Sequence, residues 1–214
     1  MDGRIIDDAI AYARGIFADD YSGHDFFHTL RVYKMATVLA EREGAEVLTV
    51  QLAALLHDVD DAKLSPETHA GKDRAVRFLS GHGVPGETIA EICGIIEGVS
   101  FAGTDSVAPE SLEGKCVQDA DRLDAMGAVG IARAFAYGGS RGRAMYDPDI
   151  PFRETMNAEE YRSSRSTTVN HFYEKLLRLR ALMNTDTARA IAEARDAYMR
   201  SYLEEFFAEW EGVR

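Results

Sequence analysis

The feature that most constrains this chain is the spacing of its apolar residues, which along most of its length recur at intervals of three and four. That period keeps side chains on one face of an α-helix, whereas a half-buried strand would alternate. Ile5, Ile6, Ala9, Ile10, Ala13, Ile16 and Phe17 make a first amphipathic helix. A second is expected from about 24 to 42, closed by Gly44, and a third over about 47–58. Ser65-Pro66 supplies a cap and a proline at the first helical position, so a fourth helix is expected to start there and continue toward Leu79. Gly81-His82-Gly83 ends it, Pro85 opens a fifth over about 87–98, and 100–109 reads as loop. Helix resumes near Leu112 and runs to Tyr137, with a bend expected at Gly127 or Gly130. The Gly- and Arg-rich stretch 138–151 reads as a long surface loop of the kind that forms lids, with room for a hairpin. Two long helices, about 158–183 and 185–210, meet at Asn184-Thr185, where Thr185 is a good cap. There is no clear β-alternation, internal repeat or low-complexity tract. The expectation is an all-α chain: one compact helical bundle over 1–214, with a long-helix extension over about 158–214.

Composition bounds what such a bundle can do. With 214 residues and 46% hydrophobic content, the chain can bury one sizeable core. A charged fraction of 28% and a mean hydropathy of -0.24 are those of an ordinary soluble globular protein. No uncharged apolar run approaches the roughly 18 residues that a membrane span needs. Met1-Asp2-Gly3-Arg4 lacks the basic start and apolar run of a signal peptide. Cys93 and Cys116 are too few for a disulfide framework, and each sits in an apolar stretch, so buried free thiols in a cytoplasmic protein are expected. A formal net charge of -12 and a pI near 4.9 argue against nonspecific binding to nucleic acid or an anionic membrane. They leave room for a small phosphate-bearing substrate, met by a bound cation and a few local Lys or Arg residues.

The chemistry-bearing residues are few. His57-Asp58 ends the apolar run Leu52-Ala53-Ala54-Leu55-Leu56; taken alone, a helix terminus reaching solvent explains the pair as well as a site does. His28 lies on the preceding helix, and Asp121 falls among the three acids of Val117-Gln118-Asp119-Ala120-Asp121-Arg122-Leu123-Asp124 in an otherwise buried-looking helix. Isolated buried carboxylates are costly unless paired or bound to metal. Two imidazoles and two carboxylates from three helices suit a borderline or hard divalent ion, with coordination positions left open for water and substrate.

The order His28, then His57-Asp58, then Asp121 resembles the signature of the HD-domain phosphohydrolase superfamily. The likeness extends to His24-x-x-x-His28-x-x-Arg31-Val32, Ala53 to Val59, Ser100-Phe101, Gln118 to Asp124 with Gly127, Tyr137-Gly138-Gly139, and His171 to Lys175 with Met183-Asn184-Thr185. Together these are similar to one bacterial branch, labelled YedJ or YpgQ, over nearly the whole chain. The resemblance implies an HD-domain helical bundle with a mononuclear site held by His28, His57, Asp58 and Asp121. It implies one divalent ion, manganese first, with magnesium, nickel, cobalt or iron as alternatives. It also implies a metal-dependent phosphohydrolase acting on phosphate anhydride or ester bonds of nucleotides, foremost a nucleoside triphosphate pyrophosphohydrolase releasing diphosphate. Dinuclear members carry extra histidines between the HD pair and the last Asp. Here only His69 and His82 fall in that interval, and Glu97-Gly98-Val99-Ser100 stands where such a histidine often sits, which favours one ion over a di-iron oxygenase.

Further candidate roles are read from sequence position. Asp61, about one turn past His57, is a candidate general base; a solvated helix-end acid is the alternative. His24, four residues before His28, shares its helix face and is a candidate proton donor or phosphate ligand. Arg31, Lys63, Arg122, His171 and Lys175 are candidate phosphate-binding residues, against structural pairing or plain solvation. Asp119 and Asp124 are expected to cap or pair, and the C-terminal aromatics to form core.

Two superficial motifs fail. His24-Asp25-x-x-His28 lacks the Glu and the third ligand of a zincin helix, and Asp119-x-Asp121-x-x-Asp124 lacks the glycine turn and terminal Glu of an EF-hand loop. The competing functions are a nucleotidase or phosphodiesterase on the same site, and a non-catalytic nucleotide-sensing protein of the same fold. The expected partner is a phosphate-bearing small molecule, with no nucleic acid and no membrane, for a monomer or a homodimer.

Overall fold

A computed structural model describes residues 2–18, 25–61, 65–99, 107–153 and 166–214, among which there is no strand. The chain divides into two compact units, Met1–Phe101 with Val107–Asp121, and Ala102–Ser106 with Arg122–Arg214.

The first unit is built from α1 (Asp2–Ile16), α2 (Phe26–Glu43), α3 (Val47–Leu56), α4 (Asp73–Gly81), α5 (Gly86–Val99) and α6 (Leu112–Asp124) as far as Asp121. α3 is its axis: it packs against α1, α2 and α5, and Leu52, Leu55 and Leu56 are essentially unexposed. A helix enclosed on all sides must be apolar on all sides, which is why 47–56 has no polar stripe. Local chemistry sets the ends. The Asp25 carboxylate caps α2 by accepting from the His28 amide at 2.7 Å, and the Glu46 carboxylate caps α3 through the Leu48 and Thr49 amides. Gly44, at φ 78°, closes α2 in the left-handed conformation.

α4 does not begin at Ser65-Pro66 as the cap and proline suggest; it begins at Asp73. Pro66 to Lys72 form successive turns, with the Thr68 and His69 amides donating to the Ser65 carbonyl. This stretch offers almost no apolar side chain to bury, so packing supplies nothing to hold a helix there. Lys72 then takes a left-handed φ of 52°, which no α-helix can contain.

The second unit holds α7 (Gly127–Ser140), α8 (Thr168–Glu174), a 3₁₀ segment (Leu176–Leu182) and α9 (Asp186–Trp210). α9 packs on α7 and on the 3₁₀ segment, and α8 packs on both of these. The expected bend at Gly127 is a full break, because Gly127 sits at φ 71° with the Arg195 side chain laid against it. One long helix over 158–183 is also corrected where the chain is described. Thr167 caps a fresh start by accepting from the Asn170 amide, and Lys175 leaves helical geometry at φ -137°. The leucines that follow, Leu176, Leu179 and Leu182, repeat every third residue, and a 3₁₀-helix stacks that spacing on one side. Thr185 caps α9 as expected, through the Ala188 amide.

Segment 141–151 carries no hairpin. The Ala144 and Met145 carbonyls accept from the Thr168 and Val169 amides at 3.0 and 2.9 Å, and Ile150 accepts from Asn170 Nδ2 at 2.8 Å. Tyr146 stands edge-on to Phe207 and Trp210. These ties fasten the segment along α8 and α9, so lid motion there would have to break them. Among the described residues both thiols are free: Cys116 is buried and its thiol is pushed up to about 12, mainly by burial, while Cys93 is half-buried. No described helix is long and apolar enough to cross a membrane.

Candidate metal centre

α3 ends where its apolar run ends, and His57 is its C-terminal cap, still helical at φ -60°, ψ -33°. His57 Nδ1 lies 2.8 Å from the Ala54 carbonyl. A carbonyl only accepts, so Nδ1 carries the proton, and in the neutral ring Nε2 presents its lone pair away from the helix. α2 delivers His28 to the same place, with the ring edge-on to that of His57 at 5.3 Å between centroids. Asp58 Oδ2 lies 3.1 Å from His57 Nε2 and 3.4 Å from His28 Nε2, and Asp121 Oδ1 lies 3.5 Å from His28 Nε2. All four belong to the first unit.

His28 is 1% exposed, and His57 and Asp58 are 8% exposed. One donor atom from each of these three lies within 4.8 Å of the others, and Asp121 stands beside them, partly open to solvent. His57 Nε2 is buried and finds no partner in hydrogen-bonding geometry among the described residues, close as the Asp58 oxygen is. A buried nitrogen with no hydrogen bond is costly, and coordination relieves that cost. Burial opposes a charge on the His57 ring, but Asp58 and Asp121 outweigh it and push the imidazole up to about 9. The carboxylate field that holds a proton there would hold a divalent cation instead. Mixed imidazole and carboxylate donors suit manganese, iron, cobalt or nickel. The residues present fit such an ion.

The other candidates are placed as follows. Asp61 is partly exposed, and its amide donates to the Asp58 carbonyl at 3.0 Å, so it closes the turn that follows the HD pair. Arg31 is partly exposed one turn beyond His28 on α2. Arg122 is buried and donates from its guanidinium to the Leu182 carbonyl, tying the end of α6 to the 3₁₀ segment within the second unit. His171 and Lys175 flank the end of α8 in the second unit. Burial, then Lys175 and Arg143, push the His171 ring down to about 3, so it is neutral near neutral pH. His24 and Lys63 lie outside the described residues, as do Ser100 and Phe101. Asp124 pairs with Arg133 at 2.6 Å, as expected of an acid that is not a ligand.

One residue was not foreseen. Asp60 is 2% exposed, and its carboxylate accepts from the Arg74 and Ala75 amides at 3.2 and 3.0 Å. Asp60 follows Asp58 by two residues in the acid-rich run Asp58-Val59-Asp60-Asp61, and that run of acids just after an apolar helix is the signal the sequence carries.

The family model described as "HD domain" matches residues 25–126, the stretch that contains all four clustered residues. The chain is 37% identical over 204 residues to protein YpgQ of Bacillus subtilis strain 168, covering 94% of this chain and 92% of that one. A crystal structure of an HD-superfamily hydrolase from Bacillus thuringiensis aligns with TM-score 0.79 and 43% identity over 99% of both chains. The structure of B. subtilis YpgQ in complex with ADP aligns with TM-score 0.76 and 35% identity, covering 96% of this chain and all of that one.

Proposed function

We propose, from the premise that this chain belongs to the HD-domain family and is a hydrolase of that superfamily, that it is a metal-dependent phosphohydrolase that cleaves nucleoside triphosphates and releases diphosphate. The observation that carries the reading is the buried meeting of His28, His57 and Asp58 at the end of α3, with His57 Nε2 only 3.1 Å from an Asp58 carboxylate oxygen. The ADP complex of YpgQ supports a nucleotide as the substrate class.

In this reading His28, His57, Asp58 and Asp121 hold the ion. When bound, a divalent ion supplies a Lewis acid for the phosphoryl group and makes water acidic enough to attack near neutral pH. Asp61, in the partly exposed turn beyond Asp58, accepts the proton of the attacking water. Water adds at the α-phosphorus, the bond to the bridging oxygen breaks, and a nucleoside monophosphate and diphosphate leave. Arg31, one turn from His28 on α2, is assigned in this reading to a phosphate oxygen. The remaining candidates, His24, Lys63, Arg122, His171 and Lys175, rest on their positions in the sequence, and the reading does not depend on them.

The test is to strip metal from the protein, refill it separately with manganese, magnesium, nickel and zinc, and assay each form against a nucleotide panel with product analysis. Diphosphate with monophosphate is expected, with manganese among the best activators. Free phosphate would make it a nucleotidase, an opened cyclic nucleotide a phosphodiesterase, and binding without turnover a sensor.

A further inference from the structure

The turn after the HD pair is held from outside. α4 begins at Asp73, yet the residue before it, Lys72, gives no side-chain cap. The first amides of a helix have no partner inside it, and a carboxylate that accepts from the second and third of them satisfies both the hydrogen bonds and the helix dipole. Here that carboxylate is Asp60, with Oδ1 3.2 Å from the Arg74 amide nitrogen and Oδ2 3.0 Å from that of Ala75. The cap is therefore supplied from 14 and 15 residues away. Asp60 is 2% exposed, so little solvent competes for its oxygens.

The same block of α4 and the turns before it grips the HD turn twice more. Arg74 Nη1 donates to the Val59 carbonyl at 3.3 Å, and His69 Nδ1 lies 2.8 Å from the Asp60 carbonyl, which only accepts. Tyr12 of α1 in turn donates its hydroxyl to the Arg74 carbonyl. Val59 and Asp60 are thus fixed at both carbonyls and at one carboxylate, immediately after the residue whose Oδ2 lies 3.1 Å from His57 Nε2 and 3.4 Å from His28 Nε2.

We propose that Asp60 is the positioning residue of the ion site: by capping α4 it locks the 57–60 turn and fixes where Asp58 presents its oxygen. Both carboxylate oxygens of Asp60 are engaged by α4 amides. It acts through the backbone, and the inference rests on the proposed ion site. Loss of such supporting contacts behind metal ligands typically lowers metal affinity or activity by about 10- to 100-fold.

The test is Mn2+ affinity, read by titration of the full-length, metal-stripped protein and by the electron paramagnetic resonance spectrum of the bound ion. Asp60→Ala, with helicity intact, is expected to bind Mn2+ about 10- to 100-fold more weakly and to show an altered spectrum. Asp60→Asn keeps one acceptor oxygen and the side-chain size, so it is expected to fall between Asp60→Ala and wild type, and it carries the test if Asp60→Ala does not fold. Phe78→Leu, which trims the buried face of α4 without touching the turn, is expected to lower stability and leave Mn2+ affinity unchanged. Wild-type affinity and spectrum in a folded Asp60 variant, or equal loss in Phe78→Leu, would overturn the inference while leaving the ion site standing. Wild-type protein that takes up no Mn2+ would overturn the ion site itself, and this inference with it.

Discussion

Asp58 Oδ2 stands 3.1 Å from His57 Nε2, so two residues adjacent in sequence point their polar ends at one place. They do so because α3 stops at Leu56 and the turn from 57 to 60 brings the second side chain back toward the first.

That geometry makes ion uptake depend on pH. The folded His57 imidazole is raised to about 9 from an ordinary value of 6.5, so in the ion-free protein its protonation favours the fold below pH 6.5. This contribution is lost as pH rises from 6.5 through about 9. A divalent ion needs the neutral ring, so binding below that value must release a proton. Mn2+ affinity is expected to rise with pH over roughly 6.5–8.5, by up to about tenfold per unit from this group. Titrations in buffers of different ionisation heat would count the released protons; affinity flat in pH, with no proton release, would contradict the geometry.

Asp61→Asn is expected to retain the ion and lose turnover by about 100- to 10,000-fold, the usual loss when a general base is removed. Asn keeps the size and shape of the side chain but takes up no proton at neutral pH. Metal content and rate measured on one preparation separate the alternatives. A fall in both would make Asp61 a ligand; no change in either would leave it a solvated acid.

Gly127→Ala tests the break between α6 and α7. The residue sits at φ 71°, and an added Cβ would lie 3.1 Å from Arg195 Cγ. A left-handed residue with a side chain costs about 1–2 kcal/mol, and the Arg195 stem must shift as well. Urea unfolding is expected to show a loss of at least that size with helicity retained. Unchanged stability would mean that the break tolerates a side chain.

How much of this was legible in the sequence depended on whether the cause was local. α1, α3, α5 and α9 follow from apolar spacing and from caps such as Glu46 and Thr185, all within a few residues of the helices they start. His57 and Asp58 were legible because polar residues end an otherwise apolar run. The start of α4 was not, because its cap is Asp60, brought there by tertiary packing across 14 residues. Ser65-Pro66 carries the right start signal, yet the residues after it have nothing to bury. The 3₁₀ segment was hidden for a subtler reason: leucines three apart fit one turn of an α-helix as well, and only the break at Lys175 decides between them. Two of the ties of segment 141–151 to α8, at Ala144 and Met145, are backbone hydrogen bonds, which side-chain patterns do not encode.

The most direct measurement is metal stoichiometry and nucleoside triphosphate turnover, on the same preparations, for wild type and for His57→Ala, Asp58→Ala and Asp121→Ala. His57 and Asp58 are buried against each other, while Asp121 reaches the cluster from α6, so the three substitutions probe it from two directions. The expected result is one divalent ion and diphosphate release in wild type, with loss of both in each variant while circular dichroism stays helical. A variant that kept one tightly bound ion and full turnover would remove that residue from the site, and wild-type turnover undiminished in excess chelator after metal removal would contradict a metal-dependent hydrolase altogether.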